Sequence, residues 1–357
     1  MCVMYLLPYL AIQLIGAGVS LESLTGGLIP YWVGALLFAI VMVIYVILEG
    51  MRSVAWTDFI QGVVMYFALV ISALVVAQVL GGLGNIVHYI EQNFPELLSL
   101  PGPAGYYKYP VLWGYILAFF LGAGLAPHML VRYYAAKSKK VLGQTAIAFS
   151  LLFLIIFWFQ WILGWAGRVA FGAEITSPDA VVPMLLAKYA PILGVIIVVG
   201  VFAAGMSTLD SQPFSPWFTS SKRHLRKHKE KASERELIHV SIITMLILLL
   251  LAFILAIKAR AMIVPLATYS LQGTMQLAPA YILGLYWRRA TKTAALISIL
   301  TSAIVYGVLQ FIFKNPWAYL YGLIVGFVLM IVISLVTPEV SEETLRKFDV
   351  YRKGGEV

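Results

Sequence analysis

The sequence predicts an all-α polytopic membrane protein, and three observations predict it. Of 357 residues, 61% are apolar and 11% charged, against the ~25% charged of an ordinary soluble domain. The apolar residues gather into ten continuous runs, each near the ~20 residues of helix that cross a bilayer core and too long and unalternating for barrel strands. Finally, 19 of the 25 Lys and Arg fall in every second connecting segment, the bias that fixes membrane orientation. With an even number of spans and the N-terminus taken as cytoplasmic, both termini lie inside. The net charge of +9 is then topological and calls for no nucleic-acid partner. Cys2 is the only cysteine, which excludes an internal disulfide or a Cys-based metal site.

The spans fall near 3–24, 30–49, 57–84, 109–134, 142–171, 190–212, 237–257, 261–287, 291–313 and 316–336. Residues 1–336 form one transmembrane domain and 337–357 a cytoplasmic tail of mixed charge, read as a short surface helix or disorder. The first span opens without a basic segment or a small-residue cleavage site, which argues against a removable signal peptide. The turn EGMRSVAWTD after the second span carries Glu49, Arg52 and Asp58, where Arg52 can pair with either acid and Asp58 can complement a helix start. Outer segments 85–108 and 172–189, with Pro95, Pro101, Pro103, Pro178 and Pro183, each leave room for a short interfacial helix. Segment 222–236, KRHLRKHKEKASERE, is a topological anchor or a contact for anionic headgroups.

Polar and helix-breaking residues inside spans are the functional candidates. Few carboxylates lie in or beside a span, namely Glu22, Glu49, Asp58 and Asp210, and Glu22 reads as a helix-end residue. In the sixth span, GVFAAGMSTLDSQ places Ala204, Ser207 and Thr208 at i, i+3 and i+4. A backbone carbonyl and two hydroxyls on one helix face suit a monovalent hard cation, while the same small residues equally suit close helix packing. Gly122, Gly124 and Pro127 interrupt the fourth span; Pro265, Gly273 and Pro279 interrupt the eighth. Such breaks either kink a helix or free backbone groups toward a solute cavity. Gln160, Gln272 and Gln276 can hydrogen-bond a solute or a neighbouring helix, and His128 reads as structural. No Walker motif, GxSxG or HExxH occurs, so nothing supports ATP-driven pumping or familiar hydrolysis.

Four segments, GMRSVAWTDFIQG (50–62), LAPHMLVRYYAAKS (125–138), FAAGMSTLDSQ (202–212) and APAYILGLYWRRAT (278–291), resemble those of the sodium:solute symporter family, over nearly the whole chain. The resemblance implies a secondary active transporter in the plasma membrane, not an enzyme, that couples Na⁺ entry to a small organic solute by alternating access through a five-plus-five inverted repeat. It implies Na⁺ ligation by Ala204, Ser207 and Thr208, a role for Asp58 in Na⁺ passage on the cytoplasmic side, and no cofactor beyond Na⁺. It also places Phe119 and Ala123 where proline transporters carry Trp and Tyr, which makes proline doubtful as solute. The solute-contact candidates are therefore Phe119, Ala123, Gln160, Gln272 and Gln276. Pro213 and Pro216 depart from the family pattern after Gln212. Relatives carry about three helices ahead of the segment matching residues 3–24, including a broken core helix, so the chain reads as a partial symporter fold. The alternative is an N-terminally truncated, non-transporting remnant or helix-bundle partner. Membrane lipids are the expected surroundings; oligomeric state is silent.

Overall fold

The computed structural model describes residues 2–48, 54–175, 177–211, 234–259 and 263–352. Glu49, Arg52, Gln212, Pro213, Pro216 and most of segment 222–236 lie outside them, as do the side chains of Asp58, His128, Ser207, Thr208 and Asp210. Among the described residues the chain is almost wholly helical and has no strand, as its continuous apolar runs require: with no water to satisfy backbone groups, a bilayer admits segments whose hydrogen bonds close internally.

The helices are α1 Cys2–Leu24, α2 Tyr31–Leu48, α3 Val54–Val79, α4 Leu83–Asn93, α5 Tyr109–Leu117, α6 Pro127–Tyr134, α7 Lys139–Phe171, α8 Val181–Tyr189, α9 Pro191–Ser211 and α10 Glu234–Ala259. They continue with α11 Ile263–Thr274, α12 Ala278–Tyr286, α13 Lys292–Gly307, α14 Ala318–Val336 and α15 Glu342–Arg352. Among the described residues, five stretches are long and apolar enough to cross a membrane: Leu7–Leu24, Phe59–Val79, Lys139–Phe171, Lys292–Ile312 and Ala318–Val336. Shorter apolar helices cover Tyr31–Ile44, Tyr109–Ala123, Pro191–Met206 and Ile242–Lys258. The segments 85–108 and 172–189 do hold short helices, in α4 and α8, and the tail holds α15.

Helix ends follow local chemistry. The third predicted span stops short of residue 84 because Gly81 and Gly82 both take positive φ, +89° and +93°, where a Cβ is strained. Ser138 and Thr291 cap α7 and α13 by accepting from Val141 N–H and Ala294 N–H. Glu22 accepts from Tyr31 N–H at 3.4 Å, a helix-end role at the start of α2.

The chain forms two compact units. The larger comprises Leu6–Tyr106 and Leu130–Ala267; in it α9 packs along α3, with α2 and α8 against it, around Ala73, Val76, Leu163, Leu185 and Ile197. The smaller comprises Met1–Tyr5, Tyr107–Met129 and Thr268–Val357, with Tyr5, Met275, Tyr306 and Tyr319 at its core. On α7, Phe149, Leu154, Trp158 and Trp161 are exposed, an arrangement that suits a lipid solvent rather than water.

Candidate functional site

Within the smaller unit the two interrupted spans meet. The first starts as α5, loosens into a π turn over Ala118–Ala123 and resumes as α6 at Pro127. Pro127 has no N–H to give the carbonyl of Ala123; Ala126 N–H bonds it instead at 3.3 Å. The second tightens from α11 into a 3₁₀ turn over Met275–Leu277 before α12. Here Pro279, at the start of α12, cannot donate to the carbonyl of Met275. Both breaks fall where the Gly and Pro pattern predicts them.

Gly122 fixes their approach. A Cβ at Gly122 would lie 2.2 Å from the carbonyl oxygen of Leu271 and 2.8 Å from its carbon, so only glycine lets the π turn rest on the α11 backbone. Gly114 similarly leaves room for the amide of Gln272, whose Nε2 would stand 2.7 Å from an added Cβ.

Around this contact the polar side chains are buried and mostly spent on main-chain carbonyls. Gln276, fully buried, donates through Nε2 to Gln272 O at 3.0 Å and to Tyr319 O at 3.2 Å. Its own carbonyl accepts from Ser302 Oγ at 3.2 Å, while its Oε1 has no hydrogen-bond partner among the described residues. Tyr306 donates to Tyr269 O at 2.9 Å and reaches Gln272 Oε1 at 3.4 Å. Tyr5 donates to Ala303 O at 2.9 Å and accepts through its backbone carbonyl from Ser270 Oγ; Tyr319 donates to Pro110 O at 2.9 Å. Polar groups withdrawn from water need such partners.

The sequence-predicted residues divide between the two units. Phe119, exposed, and Ala123, half-buried, sit on the π turn of the smaller unit, together with buried Gln272 and Gln276. Asp58, Gln160, Ala204, Ser207 and Thr208 belong to the larger. Asp58 lies near the start of α3, and Gln160 is exposed on α7. In α9, Ala204 is half-buried, and the Ser207 and Thr208 backbones continue the helix. Packing accounts for Gly205, where a Cβ would come 2.3 Å from the Phe38 ring, whereas a Cβ at Gly200 would meet Met65 at an ordinary 3.5 Å. Sequence reasoning missed Tyr5, Ser302, Tyr306 and Tyr319. Their available signal was a hydroxyl inside an aliphatic run, which a buried tyrosine or serine must satisfy.

One carboxylate outside the spans also meets an interrupted helix. Asp179 Oδ2 accepts from Ile263 N–H at 3.0 Å, capping the first turn of α11 from the segment before α8. Burial raises its pKa above the ordinary carboxylate value, and the Ile263 hydrogen bond opposes that rise.

Known proteins resemble this chain along most of its length. A model of the sodium:solute symporter family matches residues 1–302. The osmoregulated proline transporter OpuE of Bacillus subtilis is 26% identical over 97% of this chain and 71% of its own length. The sodium/pantothenate symporter of Haemophilus influenzae is 30% identical over 82% of this chain and 60% of its own length. The chain thus spans between 60% and 71% of these two relatives. Among solved structures, the substrate-bound outward-open state of a Na⁺-coupled sialic acid symporter superposes with a TM-score of 0.73. It is 18% identical, over 96% of this chain and 75% of that one, which is likeness of fold.

Proposed function

The chain belongs to the sodium:solute symporter family, and from that premise we propose that it works as a secondary active transporter, carrying a small organic solute with Na⁺ by alternating access. The family is one of transporters and not of enzymes. The observation that carries the reading is the meeting of two interrupted apolar helices at Gly122 and Leu271, because breaks of this kind expose backbone dipoles that a continuous helix keeps to itself.

In this reading the ten predicted spans belong to a five-plus-five inverted repeat with both termini cytoplasmic, multi-pass in the plasma membrane and bathed in its lipids. Na⁺ is held on α9 by the carbonyl of Ala204 and the hydroxyls of Ser207 and Thr208, small neutral oxygen donors that suit a hard monovalent cation. Asp58 lies on its route to the cytoplasm. The solute is met by the π turn at Phe119 and Ala123; Gln160, on α7 of the larger unit, is a separate solute-contact candidate. The relatives that transport proline and pantothenate supply the solutes to try first.

The driving force is adequate. One Na⁺ crossing ~100 mV contributes ~2.3 kcal/mol and a tenfold gradient ~1.4 kcal/mol, together enough for roughly 500-fold accumulation of a neutral solute. The test is uptake of radiolabelled proline and pantothenate by proteoliposomes holding the intact protein, under an inward Na⁺ gradient and under K⁺ instead. Accumulation that needs Na⁺ supports the reading. Uptake by a sodium-independent route would count against it.

A further inference from the structure

Gln276 is the residue whose surroundings the transport reading does not use. It lies in the 3₁₀ turn where the eighth predicted span breaks, and it is completely buried. Both hydrogen bonds from its Nε2 end on backbone carbonyls, one four residues back at Gln272 and one in the first turn of α14 at Tyr319. Its backbone carbonyl is held from α13 by Ser302 Oγ. Residue 276 is therefore pinned on two sides, to α13 and to α14.

The remaining amide oxygen is aimed at Gly322. A Cβ there would stand 2.6 Å from Gln276 Oε1 and 3.0 Å from the carbonyl of Ser302, so α14 approaches this closely only because residue 322 is glycine. One residue before the Gln272 carbonyl that Gln276 grips is Leu271, whose own carbonyl touches the π turn at Gly122. The chain of contact from α14 to the π turn is therefore short: Tyr319 O, the Gln276 amide, Gln272 O, Leu271 O, Gly122.

We propose that Gln276 is a positioning residue: its amide fixes the broken helix to α14 and so holds Leu271 against the π turn that presents Phe119 and Ala123. It sets solute affinity without touching the solute. A direct ligand would present free donors, whereas Gln276 has spent both on carbonyls and is sealed by Gly322. The proposal rests on the transport reading, because the π turn is taken as the solute-facing element.

Two perturbations act on the same amide from opposite sides. Gln276→Met keeps the side-chain length and removes both donors. Gly322→Ala leaves the donors in place and pushes on Oε1; in a Gln276→Ser background the push on the amide is removed and only the Ser302 carbonyl, 3.0 Å away, is left to meet the new methyl. Each variant is checked for folding by its melting temperature in detergent. N-ethylmaleimide labelling of Ala123→Cys, in a Cys2→Ser background, then reports the π turn directly. Uptake, measured with Ala123 intact, gives the half-saturating proline or pantothenate concentration beside the maximal rate.

Gln276→Met and Gly322→Ala are expected to speed labelling and to raise the half-saturating concentration, each about fivefold, the net worth of one hydrogen bond. The maximal rate stays within about twofold, and the Gly322→Ala effect falls to the smaller part owed to the Ser302 carbonyl in the Gln276→Ser background. Folded variants with unchanged labelling and unchanged half-saturation overturn the proposal. Labelling that responds in a protein showing no sodium-driven uptake in any form upholds the positioning role and refutes the transport reading instead.

Discussion

Replacing Gly122 by alanine sets two physical effects of opposite sign against each other. Glycine inside a helix is less favourable than alanine by ~1 kcal/mol, so propensity alone predicts that the substitution stabilises. The close approach predicts the reverse. The added Cβ would lie 2.2 Å from Leu271 O, 2.8 Å from its carbonyl carbon and 3.2 Å from its Cα. All three are backbone atoms of a buried helix, which no rotamer change can move aside. Overpacking of a tight interior costs ~1–3 kcal/mol and more where relaxation is blocked. With the obstacle made of main chain the upper end applies, leaving a net loss of ~2 kcal/mol after the propensity gain. The control is internal: Gly143 and Gly164 lie in α7 with nothing within 4 Å of an added Cβ, so alanine there should be neutral or stabilising by up to ~1 kcal/mol. Reversible unfolding in mixed detergent micelles compares the three. A Gly122→Ala protein as stable as its Gly143→Ala and Gly164→Ala counterparts would refute the claim that the two broken helices touch at this point.

Three further outcomes follow from the same geometry. Gly205→Ala, whose Cβ would meet the Phe38 ring at 2.3 Å, should destabilise by ~1–3 kcal/mol, less if the ring swings aside; unchanged unfolding would show that α9 and α2 pack differently. Ser207→Ala and Thr208→Ala should each raise the Na⁺ concentration for half-maximal uptake by about five- to tenfold, one oxygen ligand at a time, and unaltered sodium dependence in both would remove them as ligands. For Asp179, burial raises the carboxyl pKa above its ordinary value. The folded state therefore holds that proton more tightly than the unfolded chain. The associated stability is present below pH ~4 and is lost as pH rises through the folded value. Asp179→Asn keeps an acceptor for Ile263 N–H and should flatten this part of the pH–stability curve, while Asp179→Ala loses the cap, worth ~1 kcal/mol; identical curves for all three proteins would contradict the assignment.

Much of the architecture was legible because a bilayer leaves a chain few choices. Continuous apolar runs had to become helices, and Pro127 and Pro279 had to interrupt theirs, since neither can donate the hydrogen bond the preceding turn requires. What the pattern could not specify was how each break resolves. One opens into a π turn at Ala118–Ala123 and the other tightens into a 3₁₀ turn at Met275–Leu277, a difference decided by the neighbours each turn meets.

The candidate site was legible in its residues but not in their partners. Gln272 and Gln276 stood out as amides in lipid, with solute and helix contact equally open. The Tyr319 carbonyl that accepts from Gln276 and the Tyr306 hydroxyl that reaches Gln272 come from tertiary packing that spacing does not encode. Tyr5 and Tyr306 were passed over because an aromatic ring in a span reads as apolar, although each hydroxyl bonds a backbone carbonyl. The small residues of α9 carried two meanings at once. Gly205 serves a close contact with Phe38, while Ala204, Ser207 and Thr208 are the proposed cation ligands.

The central claim is coupling, and it is tested most directly by setting the solute equal on both sides of the membrane and imposing only a sodium gradient. Proteoliposomes equilibrated with the solute the protein takes up, then diluted so that Na⁺ is high outside, should draw solute inward until the sodium gradient decays, and should expel it when the gradient is reversed. Solute that stays at equal concentration under both gradients, in vesicles that exchange it across the protein, would contradict the account.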